Sequence, residues 1–210
     1  MIQIRAIIFD LDGTLYVNRE LGQEVHLSAC RTIARHHGIS DEEAGKLLRQ
    51  TKEHLSRESG FPISLTRSCQ ELGIDIRELH RRFCQEISPE KFLTRDERVV
   101  ALLKRLGSKH ELYLYTNNNG CLTSRIMGLL GIDGMFRRIF SIEDFWRPKP
   151  DREILESIFT EIRRPPQECL FVGDRYPIDL MLPEQMGARV FLSTSGEELL
   201  RVETVIGNAS

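Results

Sequence analysis

Short apolar runs recur along the chain and predict the strands of a buried sheet. Residues 4–9, IRAIIF, are apolar apart from one arginine. Similar runs occupy residues 112–115, 169–172 and 189–192, the last of them shortly after Gly187. A strand that is covered on both faces has a nearly continuous apolar sequence, as in parallel sheets. These four segments are therefore predicted to be strands of one parallel sheet.

Helical patterns separate the strands in the second half of the chain. They cover residues 95–106, 121–130 and 151–162. Gly107 and Gly131 follow the last periodic positions of the first two, where helices commonly stop. Strands that alternate with helices of about 10 to 12 residues indicate βαβ units and an α/β fold.

The segment after the first strand breaks this alternation. It shows no convincing strand, but it has helical patterns over residues 21–37, 41–56, 64–72 and 75–87. Ser40 and Glu43 have the spacing of a capping box at the start of the second pattern. A helical block inside an alternating pattern is best explained as an insertion. We predict a helical cap domain at residues 17–88, inserted into an α/β core formed by residues 1–16 and 89–210.

Composition and charge narrow the functional class. The chain has 210 residues, of which 40% are hydrophobic and 29% charged, enough for one domain with a sizeable insertion. With a formal net charge of -2, the chain lacks the excess of basic residues that is typical of a nucleic-acid-binding domain. No apolar run approaches the roughly 20 residues that span a bilayer. We therefore expect a protein that binds neither a nucleic-acid polymer nor a membrane. A cytoplasmic location and a monomer or homodimer are further expectations.

The cysteine content predicts free thiols. The five cysteines are Cys30, Cys69, Cys84, Cys121 and Cys169. An odd number without a CxxC pair argues against a disulfide framework and against a structural zinc site. Buried or scattered thiols in a reducing cytoplasm are the expected arrangement.

The residues that follow the first strand carry the strongest chemical signal. They are DLDGTL, residues 10–15. Ligands of open α/β sheets bind beyond the carboxyl ends of strands, and two carboxylates there ionise together only if a cation such as Mg²⁺ offsets them. Gly13 would let the chain turn sharply and leave room for a ligand. The alternative is a polar turn in which Asp10 or Asp12 caps a helix.

Other polar residues lie at the ends of further predicted strands. Thr116 and Asn117 follow the second strand, Asp174 ends the third, and Asp179 comes five residues later. Lys149 lies between two prolines, which stiffen the backbone around it. Each residue alone has an ordinary explanation as a helix cap, a solvated lysine or a turn aspartate. Together they predict a pocket for phosphate and Mg²⁺.

The order of these segments resembles the haloacid dehalogenase (HAD) superfamily. Its four motifs are present as FDLDGTL at residues 9–15, YTN at 115–117, RPKP at 147–150 and VGDRYPID at 172–179. The resemblance implies a Rossmann-like parallel sheet with an inserted all-helical cap of the C1 type. It also implies a Mg²⁺-dependent phosphatase, because Asp12 stands where the dehalogenase branch has alanine or tyrosine.

The resemblance also implies a role for each candidate residue. Asp10 is expected to attack phosphorus and form an aspartyl-phosphate, with Asp12 as the acid and base. Mg²⁺ is expected to bind Asp10, the backbone carbonyl of Asp12 and Asp174. Asp179 is expected to orient Lys149 or a metal-bound water. Four residues are expected to contact the phosphate: Gly13, Thr116, Asn117 and Lys149.

The predicted cap looks most like the pyrimidine 5′-nucleotidase branch of the superfamily. The similar stretches are residues 15–16, 58–60, 71–75, 88–93 and 116–119. The expected substrate is a small phosphorylated metabolite, with a pyrimidine nucleoside 5′-monophosphate first. Phosphoglycolate and sugar-phosphate hydrolysis and a phosphomutase are alternatives. A non-enzymatic phospho-receiver domain is a further alternative, although two carboxylates in one loop and a helical insertion count against it.

Three positions depart from the family pattern. Arg175 and Ile178 stand where the family often has serine and asparagine, so a contact near the metal is replaced or lost. Pro183 falls where the next helix is expected, which predicts a kinked or late-starting helix. Trp146, the only tryptophan, is expected to pack near the hinge between core and cap.

Overall fold

Five parallel strands form one sheet at the centre of the molecule. The computed structural model describes residues 3–207. The strands are β1 (Ala6–Phe9), β2 (Glu111–Tyr115), β3 (Arg138–Phe140), β4 (Cys169–Gly173) and β5 (Arg189–Leu192). Their order across the sheet is β3-β2-β1-β4-β5, and all neighbours are parallel. The predicted α/β fold class is confirmed.

Helices surround this sheet. They are α1 (Arg19–His37), α2 (Asp41–Ser59), α3 (Leu65–Glu71), α4 (Ile76–Glu86), α5 (Glu97–Gly107), α6 (Gly120–Leu130), α7 (Ile142–Phe145), α8 (Arg152–Ile162), α9 (Met181–Gln185), α10 (Gly196–Leu199) and α11 (Val202–Gly207). Short 3₁₀ turns occupy Pro89–Lys91 and Pro166–Glu168, and a π-helical turn occupies Tyr176–Leu180. Within residues 3–207, no helix has the length and apolarity needed to cross a membrane.

Strand β1 is buried on both faces because its side chains alternate between two cores. Ile7 and Phe9 belong to the cluster that extends into helices α1–α4. Ala6 and Ile8 belong to a second cluster, which includes the apolar face of α8. None of the four side chains is more than 1% exposed. This double burial explains the continuous apolar run from which β1 was predicted.

Between β1 and α5 the described chain forms four helices and no strand, as predicted. We call residues 17–88 the helical insertion. Each of its helices begins with a side-chain cap, from Asn18, Ser40, Ser64 and Asp75 in turn. The predicted capping box between Ser40 and Glu43 is present. The division into a cap and a core domain at these boundaries stays a prediction.

Two local features follow from individual residues. The edge strand β3 was not predicted, because it has only three residues and begins with the exposed Arg138. Helix α9 begins late, at Met181, and Pro183 is its third residue. Proline is tolerated in the first turn, where the backbone N–H has no intrahelical partner. The late start predicted from Pro183 is therefore observed.

The cysteine prediction is wrong for one pair. Cys84 in α4 and Cys121 in α6 form a disulfide, with 5.8 Å between their Cα atoms. Sequence spacing could not reveal this pair, because it depends on which helices pack together. Cys30, Cys69 and Cys169 are free and buried, as expected.

Candidate active site

The candidate residues meet at the carboxyl edge of the sheet. Strand β1 lies between β2 and β4, so the three strands end side by side. Asp10 directly follows β1, Thr116 follows β2 and Asp174 follows β4. The chain crosses from one half of the sheet to the other beside β1, which is where open α/β sheets form a ligand crevice.

Lys149 lies at the centre of a buried ionic group. Its Nζ donates to Asp10 Oδ1 and to Asp179 Oδ1, each at 2.6 Å. A third hydrogen bond, of 3.0 Å, goes to the backbone oxygen of Tyr115. The side chains of Lys149, Asp10 and Asp179 are at most 3% exposed. A buried charge of this kind is tolerated only where it is paired and hydrogen-bonded.

Burial and charge shift the titration of this group in opposite directions. Burial raises the pKa of Asp10 to about 7, although the ammonium group of Lys149 lowers it. Burial alone would lower the pKa of Lys149, but the carboxylates of Asp10 and Asp179 outweigh it and hold the pKa above its usual value. Lys149 therefore stays cationic and offsets the two carboxylates that face it.

Asp12 has a set of hydrogen-bond partners separate from those of Lys149. The hydroxyl of Tyr16 donates to Asp12 Oδ1. Thr116 Oγ1 is 3.4 Å from Asp12 Oδ2, and Asn118 Nδ2 is 3.4 Å from both carboxylate oxygens. Burial and the Asp12 carboxylate together raise the pKa of Tyr16 well above its usual value, so Tyr16 stays a donor. Three side chains thus orient this carboxylate.

Three carboxylates form a group that could hold a metal ion. Oxygens of Asp10, Asp174 and Asp179 lie within 4.8 Å of one another. Asp174 Oδ1 is buried and accepts no hydrogen bond within the described chain, although Arg175 Nε lies 3.5 Å from it. A Cβ on Gly13, whose φ is +89°, would come within 2.4 Å of Asp174 Oδ2, so only glycine allows this close approach. This oxygen-rich donor set fits a hard divalent cation such as Mg²⁺.

This cluster contains one carboxylate that was not predicted to bind the metal. Asp179, predicted only to orient its neighbours, contributes an oxygen to the cluster, whereas the Asp12 side chain does not. The sequence analysis assigned only the Asp12 backbone carbonyl to the metal. Asn117 Oδ1 accepts a 2.7 Å hydrogen bond from the backbone N–H of Lys149, so Asn117 positions the lysine segment.

A cavity of about 340 Å³ opens above the site, between the core and the helical insertion. Asp12, Asn118 and Asp174 lie on its core side. The insertion contributes apolar side chains, among them Leu21, Val25 and Phe83, and also polar ones such as Arg19 and His80. A volume of this size suits a small organic molecule.

The comparison with protein families agrees with this geometry. Residues 4–187 match the model of haloacid dehalogenase-like hydrolases. The chain belongs to this family. The HAD resemblance and the prediction of an enzyme are therefore confirmed, whereas the nucleotidase branch is not.

Individual HAD-like proteins are similar over nearly the whole chain. The pyrophosphatase PpaX of Bacillus pumilus is 26% identical over 201 residues, which are 94% of this chain and 88% of that protein. A HAD phosphatase from Thermococcus onnurineus superposes with a TM-score of 0.62 at 18% identity, over 97% and 98% of the two chains. The HAD hydrolase YfnB from Bacillus subtilis, solved with bound magnesium, has a TM-score of 0.58 at 18% identity, over 98% and 99%.

Two polar residues of this HAD-like site were not predicted. Tyr16 and Asn118 both contact Asp12, but neither was assigned a role. Tyr16 lies four residues after Asp12, and the two form an isolated bridge across the turn at Gly13. This four-residue spacing was the sequence signal from which the contact between Tyr16 and Asp12 could have been predicted. No sequence signal identified Asn118, because the direction of its side chain depends on how the β2–α6 loop folds.

Proposed function

We propose that this HAD-like enzyme hydrolyses phosphomonoesters through an aspartyl-phosphate on Asp10. The observation that carries the proposal is the buried Asp10 carboxylate, held at 2.6 Å by Lys149 with Asp12 two residues away. One carboxylate is thus fixed for attack, and a second one faces the cavity. A phosphate monoester is slow to hydrolyse, so alignment and charge stabilisation must supply most of the barrier reduction.

Asp10 is the proposed nucleophile. Its Oδ1 is occupied by Lys149, and its Oδ2 receives only a long bond of 3.4 Å from Thr14 Oγ1. The weakly bound oxygen is the one available to attack phosphorus. Burial removes competing water from the carboxylate, which makes it a better nucleophile once it is ionised.

Asp12 is the proposed acid and base. Its carboxylate lines the cavity, where the leaving oxygen of a substrate bound at Asp10 would lie. Tyr16, Thr116 and Asn118 hold it in place. In the first step Asp12 donates a proton to the leaving oxygen, and in the second it accepts one from the water that cleaves the aspartyl-phosphate.

Asp10, Asp174 and the Asp12 backbone carbonyl are the proposed ligands of Mg²⁺, with Asp179 close by. The buried Asp174 oxygen that accepts no hydrogen bond supports this assignment. When bound, the ion would offset the negative charge of the phosphate and of the nucleophile. Lys149 and Thr116 are proposed to contact the phosphate oxygens, and the backbone at Gly13 leaves space for them.

An organic leaving group fits the cavity best. Its insertion side presents Leu21, Val25, Leu65 and Phe83, an apolar surface against which the body of an organic leaving group could pack. Ser64 and Thr66 add hydroxyl groups on the same side. An apolar wall with a few polar groups suits a nucleoside or a similar body, so a pyrimidine nucleoside 5′-monophosphate remains the first proposed substrate.

Inorganic pyrophosphate is the second candidate. Arg19 and Arg175 line the same cavity and could bind a second anionic group. The name of the 26% identical relative, a pyrophosphatase, favours the same substrate.

Steady-state phosphate release in the presence of Mg²⁺ tests the proposal. The panel contains p-nitrophenyl phosphate, UMP, CMP, phosphoglycolate, a hexose phosphate and pyrophosphate. We expect turnover of organic monoesters, with kcat/KM highest for UMP and CMP. If kcat/KM were highest for pyrophosphate, pyrophosphate would replace the nucleotide as the proposed substrate. No release of phosphate from any member would contradict the phosphatase function.

A further inference from the structure

The Cys84–Cys121 disulfide joins the helical insertion to the core. Cys84 is in α4, the last helix of the insertion, and Cys121 is the second residue of α6. The polypeptide itself connects the two parts at only two places, around residue 17 and around residue 88. The disulfide is therefore a third covalent connection between them.

The disulfide lies in the middle of a row of contacts that one face of α4 makes with the core. Residues 77, 80, 84 and 87 are three or four positions apart, and such residues share one face of a helix. The guanidinium of Arg77 lies 4.7 Å from the ring centroid of Trp146. The backbone oxygen of His80 accepts a 3.0 Å hydrogen bond from Asn119.

The same face continues past the disulfide. Arg125 Nη1 donates to the backbone oxygens of Cys84 and Ile87, at 3.2 and 3.0 Å. Arg125 also forms an ion pair with Glu90, beside the second connection. Trp146 thus contacts the start of α4, and its expected packing near the hinge stays a prediction. The whole length of α4 rests on the core.

This contact line reaches the candidate active site. Asn119, which is 1% exposed, caps α6 by accepting from Leu122 N–H, and it donates to α4 through its other side-chain atom. Its neighbour Asn118 contacts Asp12. A path of contacts therefore runs from α4 through Asn119 and Asn118 to the proposed acid and base.

The two bonded cysteines differ from the others in accessibility. Cys84 and Cys121 are half-buried, whereas Cys30, Cys69 and Cys169 are buried. Cys121 also lies in the first turn of α6, where the helix dipole stabilises a thiolate. The pair is therefore more accessible to a small thiol or disulfide than the other three cysteines are.

We propose that Cys84 and Cys121 form a reversible latch, a disulfide that fixes the helical insertion on the core and slows turnover until it is reduced. The substrate cavity lies between the two parts, and the Asp10 side chain is only 3% exposed in this conformation. We expect entry of a phosphate and release of products to involve movement of the insertion. The kinetic part of this inference rests on the proposed phosphatase function.

The latch closes by two exchanges with a low-molecular-weight disulfide such as oxidised glutathione. One cysteine thiolate attacks a glutathione sulfur, the glutathione S–S bond breaks, and one glutathione thiolate leaves. The second cysteine thiolate attacks the mixed disulfide, the Cys84–Cys121 bond forms, and the second glutathione leaves. Two electrons pass from the cysteines to glutathione, and the two protons end on the two glutathione thiols. A dithiol reductant reverses both steps.

The full-length protein is tested after treatment with oxidised glutathione or with dithiothreitol. Thiol titration of the denatured protein should give three free thiols after oxidation and five after reduction, with Cys84–Cys121 identified by peptide mapping. Hydrogen exchange in residues 76–87 should be slower in the oxidised form. The kcat for p-nitrophenyl phosphate should be about tenfold lower in the oxidised form, as expected when movement of a closing element limits release.

Matched variants separate the latch from general effects of oxidation. Cys84→Ser and Cys121→Ser should each retain the activity of the reduced protein and lose the response to glutathione. Cys169→Ser, which removes a buried unpaired thiol, should keep the full response.

The inference is overturned if five thiols persist after oxidation. It is also overturned if the bond forms while hydrogen exchange and turnover stay unchanged. If the reduced protein has no phosphatase activity, the proposed function fails, and thiol counts with hydrogen exchange still decide the latch.

Discussion

At the scale of single residues, Lys149 uses every hydrogen of its ammonium group within the protein. Its three donors go to Asp10, to Asp179 and to the backbone oxygen of Tyr115. A lysine has three donors and no acceptor, so none is left over. In this conformation Lys149 positions two carboxylates, and contact with a phosphate requires one of these bonds to be exchanged.

Replacing Lys149 should therefore affect stability as well as activity. In Lys149→Met, two buried carboxylates lose their shared cation, and we expect the free energy of unfolding to fall by about 3 kcal/mol at pH 7. Urea unfolding measures the change. Lys104→Met, which removes an exposed lysine of α5, is the control and should stay within about 0.5 kcal/mol of the wild type. Equal stability of the two variants would show that Lys149 does not hold this group together.

Tyr16 should act on turnover through the orientation of Asp12. Removing its hydroxyl in Tyr16→Phe leaves Asp12 with only the 3.4 Å contacts from Thr116 and Asn118. We expect kcat to fall about tenfold with little change in KM, because a misplaced acid and base impairs proton transfer more than binding. Tyr176→Phe removes an exposed hydroxyl bonded to Glu184 and serves as the control. A kcat for Tyr16→Phe equal to that of this control would remove Tyr16 from the mechanism.

The residues at strand ends could be predicted, because a buried strand followed by a polar residue has a clear pattern. Asp10, Thr116 and Asp174 are of this kind. The partners of Asp12 could not be predicted in the same way, because they depend on loop conformation. The presence of Asp179 among the clustered carboxylates also could not be predicted from the sequence. It depends on the π-helical turn Tyr176–Leu180, which brings the side chain of Asp179 back toward β4.

At the scale of elements, α4 connects the insertion to the core and carries a buried histidine. His80 is 2% exposed, and its Nε2 lies 3.3 Å from Thr66 Oγ1 of α3. Its Nδ1 is buried without a partner in the described chain. The ring also packs edge-on against Phe83, with 5.3 Å between centroids. These surroundings favour the neutral ring.

The neutral His80 should make stability depend on pH. Burial lowers the pKa of His80 from 6.5 to about 4 in the folded protein. Between these values the unfolded state binds more protons, so stability is complete above pH 6.5 and falls as the pH decreases toward 4, by up to about 3 kcal/mol. His80→Gln lacks this titration. Urea unfolding of both proteins from pH 4 to pH 7 should show a steeper loss for the wild type, and parallel curves would contradict the assignment.

Element prediction succeeded where a pattern was long and failed where it was short. Helices α1 and α2 were predicted to within a few residues from their periodicity and caps. Strand β3 has three residues and a charged start, which leaves no apolar run to detect. The disulfide was missed because Cys84 and Cys121 lie on different elements, and only the packing of α4 on α6 brings them together.

At the scale of the whole molecule, the insertion and the core share one hydrophobic cluster. It runs from Ile7 and Phe9 of β1 through Leu21 and Ile33 of α1 to Leu79 of α4. The same two parts enclose the cavity above the site. Closure of the site and stability of the fold are therefore linked through the surface where the insertion meets the core.

Binding of Mg²⁺ should stabilise the whole molecule. A ligand that binds only the folded state adds about 2.7 kcal/mol when its concentration is 100 times Kd. We expect Mg²⁺ to raise the melting temperature of the wild type, and Asp174→Asn to lose most of this rise because it removes a clustered carboxylate. Asp133→Asn, an exposed change of equal charge, should keep it. A full Mg²⁺ response in Asp174→Asn would place the ion elsewhere.

Covalent capture of the phosphoryl group tests the central claim most directly. The enzyme is mixed with p-nitrophenyl phosphate and Mg²⁺, quenched in acid within milliseconds and analysed by peptide mass spectrometry. Phosphorylation is expected on Asp10 alone, forming before the steady state and lost in Asp10→Asn together with turnover. Phosphate release by Asp10→Asn at the wild-type rate, or a phosphoryl group on another residue, would contradict the account.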